Sequence, residues 1–293
     1  MKALQLLSKV DDFFFGLDTD RRTLQIFRIA LGIQMGVVLL LSLPNWVRFY
    51  GEPPISSHHY VNLFSLATTP PLLFAVWGLG FAACMGLVFG TLTRLSIFFL
   101  FVLQRSMVVQ SPMLVNGHDY VFSMLLFCAM WMPLSGTTTS KPRLFDSVWA
   151  RRFGQILFTL MYLGTGFGKI LDDGRWIDGS ALAWIAFSDR WSTFLGNPLF
   201  AHPLRSAFFT YTTLIIEILG PLSLWLLPFR IGTFLAICAL HVGIILTMDS
   251  GIALFNTGAI TWAFLFLKDA DLEIASRRVI GWYRNAAALR PQR

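Results

Sequence analysis

The sequence predicts an all-α membrane protein, a polytopic bundle of about eight transmembrane helices with interfacial amphipathic helices and both termini cytoplasmic. Three observations carry this. Of 293 residues, 55% are hydrophobic and only 13% charged, with a mean hydropathy of +0.63, whereas soluble domains carry about 25% charge. The apolar residues fall into runs of about 16 to 21 residues, long enough for a bilayer core when tilt is allowed. Lysine and arginine are distributed unequally between alternate connections.

Residues 1–22 place Leu4, Leu7, Val10, Phe14 and Leu17 at helical spacing beside Lys2, Lys9 and Asp11 to Asp20, the pattern of a helix lying on a membrane surface. The apolar start is interrupted at Asp11-Asp12, so no cleaved signal is expected. The first span is 24–43, with Gly32 and Gly36 set for close helix contact and Pro44 as its stop. Spans at 71–90, 95–110, 120–133 and 153–171 follow, the last after a basic loop, 135–152. Residues 172–206 mix Trp176, Trp184 and Trp191 with charges, which suits the water interface. The last spans are 207–227, 231–248 and 251–267, and the tail 268–293 is basic. The chain thus divides into an interfacial helix (1–22), a transmembrane domain (23–267) and a cytoplasmic tail (268–293).

Between spans, one side holds only Arg48, Arg175, Arg190 and Arg205 of the 23 lysines and arginines. Arg28, Arg105 and Lys169 lie inside spans, and all the others fall on the opposite side with the termini. The positive-inside rule makes that side cytoplasmic. The net charge of +7 therefore points to membrane lipids and not to nucleic acid. Cys84, Cys128 and Cys238 sit in apolar runs as small hydrophobes, with no disulfide expected.

With direction set, the polar groups inside spans gather in the outer half: Gln104 and Arg105 late in the third span, Asn116, His118 and Asp119 at the start of the fourth, and Lys169 late in the fifth. His241 lies late in the seventh, and Asn256 and Thr257 early in the eighth. An ammonium in hydrocarbon costs roughly 3 kcal/mol, so Lys169 is paired, hydrated or there for chemistry. One reading pairs it with Asp172 or Asp173, three and four residues on. The other makes it a general base: Thr165, Gly166 and Gly168 leave room for a ligand, and a low-dielectric setting favours the neutral amine. His118 either caps the fourth helix with Asp119 or bonds substrate. His241 is an interhelical bond or a site residue, and Arg105 is an anchor or a ligand contact. Glu217 shares a face with Thr210, Thr213, Gly220 and Pro221, where it is protonated, paired with an arginine or lining a cavity. No metal, nucleotide or nucleophile signature is present, and the pair His58-His59 is weak.

At these residues the chain resembles the membrane domain of the vitamin K-dependent gamma-glutamyl carboxylase superfamily, the horizontally transferred transmembrane (HTTM) family. Gly166-Phe167-Gly168-Lys169-Ile170, then an acidic pair, Trp176 and Gly179, is similar to that family's Gly-x-x-Lys-Leu segment with its following Trp and Gly. Asn116-Gly117-His118-Asp119-Tyr120 resembles its Asn-x-His-x-Tyr segment, and His241 falls where the family has a histidine. The resemblance implies an integral protein of the bacterial inner membrane whose active face lies outside the cytoplasm. It implies Lys169 and His118 as catalytic residues, and a reduced vitamin K or menaquinol-like quinol as cofactor. Arg105, Asn116, Asp119, Thr165, Gly166, Trp176, His241 and Asn256 would line the substrate, and no metal is expected. The implied chemistry is quinol oxygenation and epoxidation; the family's long extramembrane region is missing, which speaks against peptide glutamate carboxylation. The alternatives are a non-catalytic membrane component that helps mature or export a partner peptide or protein, and a proton-coupled transporter.

Overall fold

The computed structural model describes residues 2–51, 62–67, 69–115, 117–134, 147–188, 193, 195–248 and 250–277. Among these the protein is helical, with no strand. Helix α1 is Lys2–Phe15, α2 Arg21–Ser42, α3 Trp46–Tyr50, α4 Leu63–Leu66, α5 Pro70–Phe89, α6 Thr93–Gln110 and α7 Gly117–Met130. They are followed by α8 Trp149–Asp172, α9 Gly174–Ile177, α10 Ala181–Ala186, α11 Gly196–Phe200, α12 Pro203–Ser223, α13 Arg230–Thr247 and α14 Ser250–Ala263. A last helix covers 269–277.

Every run read as a span is thus helical over most of its length, usually starting a few residues earlier than the apolar pattern does, because polar first turns join the helix. Among the described residues four helices are long and apolar enough to cross a membrane: α2 with its continuation to Tyr50, α5, α12 and α13; Asp119–Met130 is a shorter apolar helix. The punctuation is local chemistry. Pro70 and Pro203 open α5 and α12, where a missing N–H costs nothing. Gly90 closes α5 at φ +78°, and the Arg28 guanidinium lies where its Cβ would be, so both backbone and neighbour require glycine there.

Helix α14 sits at the centre, packed against α2, α7, α8 and α13, while α2, α5, α6 and α7 lie side by side and α12 bridges α8 and α13. Its Ala259, Trp262 and Ala263 are buried, and Trp262 Nε1 donates to the Gly154 carbonyl at 2.8 Å. Helix α12 is inverted relative to a soluble amphipathic helix. Leu204, Phe208, Tyr211, Ile215, Leu219 and Leu222 form an exposed stripe, while Thr210, Thr213, Glu217 and Gly220 face inward, as expected where the surroundings are lipid. Residues read as interfacial form α1 and the short helices α9 to α11. The loop 135–146, His58-His59, Trp191 and residues 278–293 lie outside the described residues.

Two of the cations counted on the side of the termini are held by acids. Arg151, counted above among loop cations, is 3% exposed and joins three segments: it donates to Asp18 Oδ1 at 2.8 Å, to Asp20 Oδ2 at 2.9 Å, to the Leu265 carbonyl at 2.7 Å and to the Leu267 carbonyl. Arg230 pairs with Asp271 at 3.0 Å. Asp269 accepts from the Arg22 and Thr23 N–H groups at 3.1 and 2.9 Å, capping α2 from the far end of the chain.

Candidate functional site

Lys169 lies in the last turn of α8, and it is not unpaired; of the two acids that follow it, the Asp172 side chain lies outside the described residues. The lysine ammonium pairs with Glu217 Oε1 of α12. This overturns the expected pairing with Asp173, whose carboxylate instead caps α9 by accepting from Arg175 N–H at 3.0 Å. It equally overturns an arginine partner for Glu217. Cross-helix contact is possible because Gly166, one turn before, is buried against α12: a Cβ there would stand 2.7 Å from Ile218 Cγ1 and 3.5 Å from Glu217 Cβ. At Gly166 itself, the space read as room for a ligand is therefore taken by the neighbouring helix. Thr165 points away, exposed, with its hydroxyl donating to the Tyr162 carbonyl at 3.0 Å.

Trp176 on α9 completes this corner, with its ring centroid 4.5 Å from Lys169 Nζ, where the ring face stabilises the cation. Glu217 is bonded through one oxygen only. Its Oε2 is buried and has no hydrogen-bond partner among the described residues, an acceptor position that costs free energy until a donor fills it. Pro221, four residues on, cannot donate to the Glu217 carbonyl, so α12 is locally loosened at the same level.

Two turns earlier on α8 lies a second polar group. The Tyr162 hydroxyl bonds His241 Nε2 of α13, and His241 Nδ1 bonds Asn256 Oδ1 of α14. An amide oxygen only accepts, so Nδ1 carries the ring proton and Nε2 accepts from the tyrosine. All three side chains are buried. His241 is thus a fully bonded interhelical link. From Tyr162 to Lys169 is about 10 Å along the helix axis at 1.5 Å per residue.

The third group is separate. Asp119 of α7 is buried and accepts from Gln104 Nε2 of α6 at 2.8 Å. Arg105, half-buried on α6, makes no bond to Lys169, Glu217, His241 or Asp119. Asn116 lies outside the described residues; of His118 only its place in the first turn of α7 is described. Of the expected site residues the structure brings together Lys169 with Trp176, and His241 with Asn256; it does not bring Arg105 or Thr165 to either.

No protein-family model, curated protein or solved structure matches this chain.

Sequence reading missed the roles of Glu217 and Tyr162. The signal for Tyr162 was present, since it stands seven residues before Lys169 and so on the same face of α8. For Glu217 the face was legible but the partner was not. A cavity of about 350 Å³ opens at the other end of α8 and is lined by Asp18, Arg151, Arg152 and Lys268 among others, so it is remote from Lys169.

Proposed function

We propose that this is a polytopic protein with eight spans and cytoplasmic termini that binds a quinol-class lipid at the Lys169–Glu217 pair, on the side away from the cytoplasm, and takes up its hydroxyl proton. The observation that carries this reading is the buried, unpartnered Oε2 of Glu217 beside a cation. That combination suits a phenolic hydroxyl: the carboxylate oxygen accepts the O–H bond and then the proton, and the Lys169 ammonium faces the oxygen that becomes negative. Trp176 offers a flat aromatic wall at the same place. Bound there, a quinol would supply the reducing electrons for oxygenation and epoxidation, the chemistry that the resemblance implies. This chain's part is to hold the hydroxyl, receive its proton at Oε2 and balance the charge.

The assignment differs from the resemblance in one respect. Lys169 begins as the partner of a carboxylate, so the proton acceptor is the pair and not an isolated amine. Quinol-dependent oxygen consumption by the purified, lipid-reconstituted protein tests it. Lys169→Ala, Lys169→Arg and Glu217→Gln are expected to reduce the rate by about 100-fold or more while leaving a monodisperse, helical protein. Full activity in both lysine variants removes Lys169 from the mechanism, and full activity in Glu217→Gln removes the carboxylate.

A second reading is favoured by the Tyr162–His241–Asn256 chain, two turns from the pair on the same face of α8. Lys169, Glu217, Tyr162 and His241 are ionisable groups within the bundle, and such groups in succession mark proton relays. Under that reading Glu217→Gln abolishes proton-coupled uptake into proteoliposomes, and no oxygen is consumed by any form of the protein.

A further inference from the structure

The cavity at the start of α8 is about 26 Å along the helix axis from Lys169, counting from Arg152 at 1.5 Å per residue. Its walls come from the end of α1 and the segment after it, the start of α8, the α12–α13 turn and the segment after α14. Two of its cations are spoken for, Arg151 by Asp18 and Asp20 and Arg230 by Asp271. The other two are not. Arg152 donates through Nε to the Phe13 carbonyl at 3.3 Å and through Nη1 to Gln155 Oε1 at 2.9 Å. Its guanidinium lies 4.4 Å from the Phe13 ring centroid and 5.9 Å from that of Trp225, and no carboxylate bonds it. Lys268 is half-buried, and its ammonium has no partner among the described residues. The rings hold the Arg152 fork in place and leave Nη2 free to donate, a preorganised half-site for a phosphate.

An anion alone leaves one thing unexplained. Asp18 lines the same cavity, and its Oδ2 is buried with no hydrogen-bond partner among the described residues, so the cavity also lacks a donor. The rim is apolar: Leu17 and Leu227 line it and are 60% and 69% exposed, at the end of a bundle whose flanks are lipid-facing. Anionic group, donor and hydrocarbon occur together in a phospholipid.

We infer that this cavity is a phospholipid site, in which Arg152 and Lys268 hold the phosphodiester, Asp18 accepts from a headgroup hydroxyl or ammonium, and an acyl chain runs out past Leu17 and Leu227. Basic pockets between helix ends at a membrane surface bind headgroups in this way. The inference is independent of the chemistry at Lys169 and of which side of the membrane this end faces.

Native mass spectrometry of the purified full chain, titrated with phosphatidylglycerol, phosphatidylethanolamine, phosphatidylcholine or inorganic phosphate, is the test. One saturable phosphatidylglycerol or phosphatidylethanolamine is expected, with phosphatidylcholine, which carries no headgroup donor, about tenfold weaker. The combined change Arg152→Gln and Lys268→Gln is expected to lower retention at least about tenfold in a protein that stays helical and monodisperse in lipid-free detergent. Unaltered retention in that variant overturns the site. So does equal retention of phosphatidylcholine by the unmodified chain, a comparison that decides even if the double variant fails to fold. Displacement of the lipid by inorganic phosphate at equal concentration shows an ion site only and overturns the lipid assignment.

Discussion

The Lys169–Glu217 pair makes a quantitative prediction that separates it from the acids beside it in sequence. The lysine side chain is 26% exposed and the glutamate 11%, between a surface pair, worth about 0–1 kcal/mol, and a fully buried one, where losing a partner costs about 3–5 kcal/mol. Glu217→Ala leaves the ammonium with the Trp176 ring alone, worth about 1 kcal/mol, so a loss of about 2–3 kcal/mol is expected. Lys169→Ala is expected to cost about 2 kcal/mol, less because an orphaned carboxylate can protonate. If the two groups act on each other, the double variant costs scarcely more than either single one, a coupling of about 2 kcal/mol. Reversible unfolding in bicelles, measured for wild type, both singles and the double at pH 7, gives this number. A coupling under about 0.5 kcal/mol would mean independent sites and refute the pairing. Asp173→Asn serves as the control: asparagine keeps the α9 cap and is expected to change stability by less than about 0.5 kcal/mol.

Two further predictions concern the opposite end. Arg151→Lys is expected to destabilise by about 3 kcal/mol or more in the same unfolding assay, because a single ammonium cannot replace a fork that serves two carboxylates and two carbonyls. A loss below about 1 kcal/mol would show that the junction is dispensable. At Asp269 burial raises the carboxyl pKa, but the N–H groups of Thr23 and Arg22 and the Thr23 hydroxyl more than offset this, so the net shift is downward. A lowered folded-state value means stability that is complete above the ordinary carboxylate value near 4 and is lost as pH falls through the folded one. Asp269→Asn should therefore flatten the acid limb of the stability curve below about pH 4, and an unchanged limb would refute the assignment.

Much of the architecture is legible in the chain. The apolar runs are local properties and the helices follow them, although α12 opens at Pro203, four residues before the span read at 207, and α2 continues past Pro44 as short helices to Tyr50. The inward face of α12, with Thr210, Thr213, Glu217 and Gly220, was equally readable, because periodicity assigns faces. Partners are different. Lys169 and Glu217 are 48 residues apart, and nothing in a 3.6-residue period says which helix stands beside which. Gly166 illustrates the ambiguity: a small residue next to a lysine makes room, and sequence alone does not say whether a ligand or a helix takes it. Arg151 shows the converse. Its charge fits a topology count, yet the acids Asp18, Asp20, Asp269 and Asp271, clustered at the basic end, were the hint that some of those cations are structural.

The capping of α2 by Asp269 has a bearing on biogenesis. The Thr23 N–H and its acceptor are 246 residues apart in sequence, and the Asp269 N–H in turn donates to Asp20 at 3.0 Å. A ribosome therefore releases α2 long before the residue that seals its first turn has been made. Until residue 269 has been made, those amides must find another acceptor, such as water. Chains cut short before residue 269 would carry an unsealed first turn of α2.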